Sequence, residues 1–182
     1  MTIKIQPLHE PTDVLYNKIL ASALSEEEAL KQYYGDFYYA NDPVTVYTDG
    51  SCLGGGTDSA QAGAGICYGL NSRRNQSVRV PGPGRQTNNR AESYSVYLVL
   101  FEMDPERPLI IYTDSEYIIR QCCYWAGRHL TTGWNIPNGD ILKDIALLLK
   151  ERAASTRFVW VKGHSGNQNN DEADNLAKKG AT

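Results

Sequence analysis

No apolar run in this chain approaches the roughly 18 residues needed to cross a bilayer, which sets aside a helical membrane protein. The opening residues, MTIKIQPLHEPTD, lack the basic-then-apolar layout of a secretory signal. They also lack the Arg-rich, acid-poor character of an organellar transit peptide. The four cysteines (Cys52, Cys67, Cys122 and Cys123) contain no Cys-x-x-Cys pair, and two are adjacent. That pattern indicates neither a disulfide framework nor a zinc site. Reduced thiols in an intracellular protein, cytoplasmic or nuclear and not secreted, are expected. No repeat of solenoid period is present. Positive charge is scarce as well: the net charge is -3 and the pI about 5.6, which at first sight argues against a nucleic-acid partner.

The distribution of charge weakens that objection. Residues 1–43 hold 3 Lys/Arg against 7 Asp/Glu, a net -4, whereas residues 44–182 hold 15 against 14, a net +1. If several of those acids hold divalent cations, the working surface of the larger part is positive. With 182 residues, 41% of them hydrophobic and 21% charged, the chain suits one globular domain of ordinary size with an appendage.

The appendage spans residues 1–43. Asp13 begins a helical pattern with Val14, Leu15, Ile19 and Leu20 apolar, and Ser25-Glu26-Glu27-Glu28 reads as a capping box opening a second short helix. Asn41-Asp42-Pro43 is a turn that marks the boundary. This acidic helical extension is expected to pack on the main domain through Tyr34, Phe37 and Tyr38, rather than to form a binding arm. From Val44 the pattern becomes regular. Strand-like runs at 44–49, 62–69 and 75–80, separated by short Gly- and Ser-rich turns, predict an antiparallel meander. A helix over Thr87–Met103, a strand over Leu109–Thr113 and a helix over Ser115–Trp125 follow. An amphipathic helix over Asp140–Arg152, a strand over Arg157–Lys162 and a helix over Asn170–Lys179 complete the pattern. The expected fold is therefore α/β, a five-stranded mixed sheet of three antiparallel strands and then two parallel ones, flanked by helices.

Two of the strands end on the same triplet. Tyr47-Thr48-Asp49 closes the first, and Tyr112-Thr113-Asp114 closes the fourth. If those strands are parallel neighbours, both carboxylates emerge at one carboxyl edge, where open α/β sheets place their ligands. Glu92 lies in the second turn of the helix after the meander, and Asp174 in the early part of the last helix. Taken singly, each has a structural explanation as a cap, a turn former or a partner of the helix dipole. Four converging acids need a cation to coexist. Oxygen-only ligands point to Mg2+, with Mn2+ as a substitute, and a pair of such ions is a standard device for phosphodiester displacement.

Four blocks of sequence carry a resemblance: TDGSC at 48–52, GRQTNNRAE at 84–92, YTDSEY at 112–117 and VKGHSGNQNNDEADNLA at 161–177. In order and separation they resemble the motif blocks of type 1 ribonuclease H, over essentially residues 44–180. The resemblance implies a ribonuclease H-like fold and two-metal-ion cleavage of the RNA strand of RNA–DNA hybrids, leaving 5′-phosphate and 3′-hydroxyl ends. It assigns Asp49, Glu92, Asp114 and Asp174 as metal-binding carboxylates, and His164, in a glycine-flanked loop, as a proton-transferring or product-releasing residue. It places RNA-strand contacts at Gly50, Ser51, Cys52, Asn88 and Ser115, contacts between the strands at Gln86 and Asn89, and a DNA phosphate pocket at Arg85 and Thr87. Arg90 has a relative that is more structural in the family. The segment 120–136 stands where the family carries a basic protrusion; Trp125 and Trp134 fit aromatic positions there. His129 replaces a tryptophan, Leu130-Thr131-Thr132 replaces a lysine-bearing run, and Thr132 stands for an amide of the phosphate pocket. The implied partner is the hybrid duplex, bound by a monomer without a membrane. Rival readings are a DNA-acting nuclease of the same fold and a hybrid-binding module that has lost catalysis.

Overall fold

The protein is described from a computed structural model covering residues 24–35 and 42–182, so the helix expected at Asp13 and the packing of Phe37 and Tyr38 lie outside the described residues. The strands are β1 (Val44–Leu53), β2 (Gln61–Cys67), β3 (Gln76–Arg79), β4 (Leu109–Thr113) and β5 (Thr156–Trp160). They form one sheet in the order β3-β2-β1-β4-β5. β1, β2 and β3 pair antiparallel through short turns, while β4 joins β1 and β5 joins β4 in parallel. Parallel neighbours need a crossover, and helices supply it. Those helices are α1 (Glu26–Tyr34), α2 (Asn88–Glu102), α3 (Glu116–Cys123), α4 (Ala126–Thr131), α5 (Gly139–Glu151) and α6 (Gln168–Gly180).

The main core lies between one sheet face and the helices α2, α3 and α5. Val46, Ile111 and Phe158 stand in register across the three parallel strands and meet Val96, Val99, Ile118 and Ile145, all buried. Each such side chain taken from water contributes ~1.5–3 kcal/mol. α1 extends the same core past β5. Its capping box forms as expected, Glu28 N–H donating to Ser25 Oγ and Ser25 N–H to Glu28 Oε2, and Leu30 is buried. The Tyr33 hydroxyl donates to the Tyr124 carbonyl at 2.9 Å and the Tyr34 hydroxyl to the Cys122 carbonyl at 3.2 Å.

The opposite face is covered by α6, and β2 explains how closely. In the run Ala62-Gly63-Ala64-Gly65, successive residues face opposite sides of the sheet. The alanines join Val80 and Ala91 in a small cluster beneath α2. The glycines meet α6 instead: a Cβ on Gly63 would collide with backbone at Ala177–Ala181, and one on Gly65 with the backbone of Ala173 and Ala177. Ala173, Ala177 and Ala181 are buried there, so small residues on both sides let helix and sheet touch almost backbone to backbone.

Several boundaries differ from expectation, and two of the differences have a visible cause. β1 does not end at Asp49 but runs to Leu53, because β2 keeps pairing with it, Leu53 opposite Gln61, after the parallel pairing to β4 has stopped at Tyr47–Tyr112. The helix expected over Ser115–Trp125 stops at Cys123. There the Tyr124 and Trp125 amides both donate to the Arg120 carbonyl, and the chain restarts as α4.

Candidate metal and nucleic-acid site

The register of the parallel strands assembles the first two acids. Tyr47 stands opposite Tyr112, and two residues on, Asp49 and Asp114 emerge on that same face at the carboxyl edge. Asp49 lies opposite Gly65, hence on the side covered by α6, and α6 carries Asp174 over it. Glu92 arrives from the other side. Gly50 abuts α2 so closely that a Cβ would strike Ala91 and the Glu92 amide. The glycine after the first aspartate is therefore required by a helix, and its absence of side chain is what brings Glu92 to the edge.

Asp49 is only 8% exposed. Burial first, then the charge of Asp114, with Asp174 and Glu92 adding, push its carboxyl up to about 7, against the opposing Gly50 amide that donates to Oδ1. Glu92 is also raised, by burial and more weakly by Asp114, while the Ser115 hydroxyl donating to Oε2 at 2.5 Å opposes the rise. Asp114 accepts from Asn170 Nδ2 at 3.4 Å through Oδ2, and its carbonyl accepts from the Trp160 indole N–H at 3.1 Å. Asp174 Oδ2 lies 2.5 Å from Lys178 Nζ. Among the described residues no three acidic, histidine or cysteine groups stand ready as a closed metal cage. The chemistry of the set nevertheless fits hard cations: all four donors are carboxylates, and burial together with the neighbouring acids raises Asp49 to about 7, a cost that a bound dication would offset.

The loop carrying His164 borders Asp114, since a Cβ on Gly163 would meet the Asp114 carboxylate. His164 itself is exposed, has φ +50, and sits in a turn closed by Ser165 Oγ donating to the Lys162 carbonyl at 2.6 Å. On the other flank, Cys52, Gly55 and Gly56 face Thr87, Asn88 and Asn89 across one groove, so the β1–β2 turn and the start of α2 present polar groups together. Ser51 is half-buried beside Cys52, and Arg85 is exposed before α2.

Several other residues are turned inward. Thr87 caps α2, accepting from the Arg90 amide at 3.1 Å. Gln86 accepts from the Ala62 amide at 3.3 Å and donates to the Gly84 carbonyl at 3.1 Å. The Ser115 hydroxyl is committed to Glu92 and to capping α3 at Ile118. Arg90, 6% exposed, forms a bidentate pair with Asp140 at 3.0 and 2.8 Å, fastening α2 to α5. In the segment 120–136, His129 is buried with Nε2 at 2.5 Å from Gln121 Oε1 and its ring 5.7 Å from that of Trp134. Burial, aided by Arg128, lowers its pKa, so it packs as a neutral ring. Trp125 is half-buried at the start of α4, and the Thr132 hydroxyl donates to local carbonyls. Three neighbours of the acids escaped the sequence reading: Asn170, Trp160 and Lys178. Asn170 and Lys178 lie four residues before and after Asp174, one helical turn each way, and that spacing was a usable signal.

A mixed sheet in the order β3-β2-β1-β4-β5, with acids gathered at the carboxyl edge of β1 and β4, defines an α/β protein of ribonuclease H-like fold. The RNase H family model matches residues 41–182, and the chain belongs to that family as a type 1 member. Ribonuclease H1 of Mus musculus is 35% identical over 151 residues, 80% of this chain and 52% of the mouse protein. Ribonuclease H of Schizosaccharomyces pombe is 32% identical over 177 residues, 92% of this chain and 65% of the yeast protein. Ribonuclease H of Neisseria gonorrhoeae is 32% identical over 145 residues, 76% of this chain and 95% of the bacterial protein. The chain thus spans about half the length of the mammalian relative. Among solved structures, a type 1 RNase H with the type 2 active-site motif superposes with TM-score 0.59 at 26% identity, covering 78% of this chain and 74% of that one. A foamy viral protease–reverse transcriptase in complex with dsDNA gives 0.58 at 26% identity, covering 75% of this chain and 92% of that one. No helix among the described residues is long and apolar enough to cross a membrane.

Proposed function

We propose that the chain is an endoribonuclease that hydrolyses the RNA strand of RNA–DNA hybrids, acting as a monomer within the cell. The observation that carries this reading is the convergence of Asp49, Glu92, Asp114 and Asp174 at one sheet edge, where burial and the neighbouring acids together raise the Asp49 carboxyl to about 7, in a chain of the RNase H family. These four side chains would hold two Mg2+ ions, or Mn2+ in their place. Bound there, the cations supply the Lewis acidity for displacement at phosphorus by water, yielding 5′-phosphate and 3′-hydroxyl ends.

The chain's own groups do the rest. The close contact at Gly50 brings Glu92 beside Asp49, and the Ser115 hydroxyl ties Glu92 to the chain just after Asp114, so the donors are positioned before substrate arrives. His164, exposed in the loop whose Gly163 borders Asp114, would pass a proton from its imidazole to the departing 3′-oxygen. The groove between Cys52 and Thr87, Asn88 and Asn89 receives the RNA strand, with Gly50 and Ser51 just before Cys52 on the same strand, and 2′-hydroxyls distinguish RNA from DNA. Arg85 and the Thr87 region hold a DNA phosphate, Gln86 and Asn89 lie between the strands, and Trp125 supports the duplex from the α3–α4 corner. Residues 1–43 are proposed to be an acidic extension of the catalytic domain 44–182.

End-labelled RNA–DNA hybrid, double-stranded RNA and double-stranded DNA are incubated with Mg2+ and either the wild type or Asp49→Asn. Cleavage of the hybrid alone, lost in the variant, is expected. Cleavage of DNA duplex would make this a DNA-acting relative, and hybrid binding without cleavage a scaffold module.

A further inference from the structure

The carboxylate cluster already has one positive charge beside it. Lys178 follows Asp174 by four residues on α6, so the two side chains share a helix face, and the ammonium lies 2.5 Å from Asp174 Oδ2. The Lys178 side chain is 54% exposed and that of Asp174 17%, so the cation reaches inward from solvent on its flexible stem. The lysine also responds to more than its immediate partner: its protonated form is favoured by Asp174 first and by Asp49 from the sheet. Among the described residues no other ion pair reaches Asp49, Glu92, Asp114 or Asp174.

We propose that Lys178 is the resident counter-ion of this cluster. It offsets the charge of Asp174 and repels an entering dication, so its presence sets the metal affinity of the site lower than the four acids alone would give. The inference rests on the reading of the acids as metal ligands. Asp174 has a second oxygen, and a spare lone pair on Oδ2, for a dication. A dication on either stands close to the ammonium paired with Oδ2, so the two cations repel each other and compete for the same negative charge. The strongly hydrated ammonium turns readily to water, which keeps that penalty small. An exposed pair of this kind is worth a few-fold in an equilibrium constant.

The test is isothermal titration of Mn2+ into the nucleic-acid-free protein, comparing wild type, Lys178→Met, Lys178→Gln, Lys178→Arg and Asp49→Asn. Both neutral variants are expected to bind Mn2+ about 2- to 5-fold more tightly than wild type, with Lys178→Arg close to wild type and Asp49→Asn much weaker. Two neutral variants are used so that one misfolded protein does not decide the result. Unchanged or weaker binding by a folded neutral variant overturns the counter-ion role, because a lysine that merely braced α6 would never tighten the site when removed. Absence of Mn2+ binding by the wild type instead overturns the metal reading, and this inference with it.

Discussion

Tyr47 and Tyr112 stand directly opposite each other on parallel strands, with ring centroids 4.7 Å apart and planes 17° from parallel. The sequence around each is the same triplet, so the two copies of Tyr-Thr-Asp lie side by side in register. A slip of one residue would send one aspartate to the opposite face. The stacked pair therefore marks the register that makes Asp49 and Asp114 neighbours, and the cost of burying Asp49 beside another acid is visible in its raised carboxyl.

That cost predicts a stability gain. A carboxyl whose native pKa is raised from 3.8 to about 7 binds a proton in the native state that the unfolded chain has released. Stability therefore falls as pH rises across that interval and stays low above it. Asp49→Asn keeps the shape and the acceptor for the Gly50 amide but removes the charge. The metal-free variant is expected to be ~1–3 kcal/mol more stable than wild type at about pH 8, and equal to it at about pH 4. Adding Mg2+ should reverse the ranking at the higher pH. Thermal denaturation with and without Mg2+ measures both, and a less stable metal-free variant at about pH 8 would contradict the electrostatic account.

The close seat of α6 predicts a sharp difference between glycines. Gly65→Ala drives a methyl into the backbone of Ala173 and Ala177, rigid atoms that must move as a helix. A loss of ~2 kcal/mol is expected, with reduced metal affinity because Asp174 moves too. Gly55→Ala, whose new methyl would lie 4.0 Å from Cys52 Sγ, is the control and should be nearly neutral. Urea denaturation of the two variants compares them directly.

The clasp between α2 and α5 predicts an outsized effect from a surface acid. Asp140 has a side chain 63% exposed, yet it is the bidentate partner of the Arg90 guanidinium, on a side chain only 7% exposed. Asp140→Ala should cost ~2 kcal/mol, well above an ordinary exposed ion pair, because a buried cation is left unpaired. Arg90→Met with Asp140→Leu should recover much of it. The Arg90 hydrogen bonds hold the Asp140 carboxyl below the usual carboxylate range. Its stabilisation is thus present above the unfolded pKa and is lost as pH falls through the lower native value. Asp140→Ala should accordingly flatten the acid limb of the stability profile.

The sheet and the acids were legible because both are written in short-range pattern. Doubled triplets, strand alternation and the 3.6-residue period of α5 act over a few residues. Even the role of Lys178 was open to reading, four residues from Asp174. What escaped depends on partners far apart in the chain: Arg90 with Asp140, 50 residues on, and Tyr33 with Tyr124, 91 residues on. Gly50 is instructive, since as a residue after a strand-end aspartate it reads as room for a ligand backbone. The helix it admits, carrying Glu92, is separated from it by the whole meander. The split between α3 and α4 was equally hidden, because six residues carry too little periodicity to announce a helix.

His164 predicts a partial loss that separates proton transfer from metal binding. It sits outside the buried cluster, and the glycine before it keeps the loop close to Asp114 without taking a carboxylate oxygen. Removing a positioned proton donor typically lowers turnover by ~100-fold, so His164→Ala should reduce kcat on hybrid by about that factor. KM for the hybrid and the Mn2+ affinity should stay at wild-type values. Asp114→Asn, in contrast, should lose both cleavage and metal affinity. Steady-state kinetics on a labelled hybrid, read beside the Mn2+ titration, distinguishes them. A change confined to KM would make His164 a binding residue, and a lost Mn2+ affinity would make it a ligand.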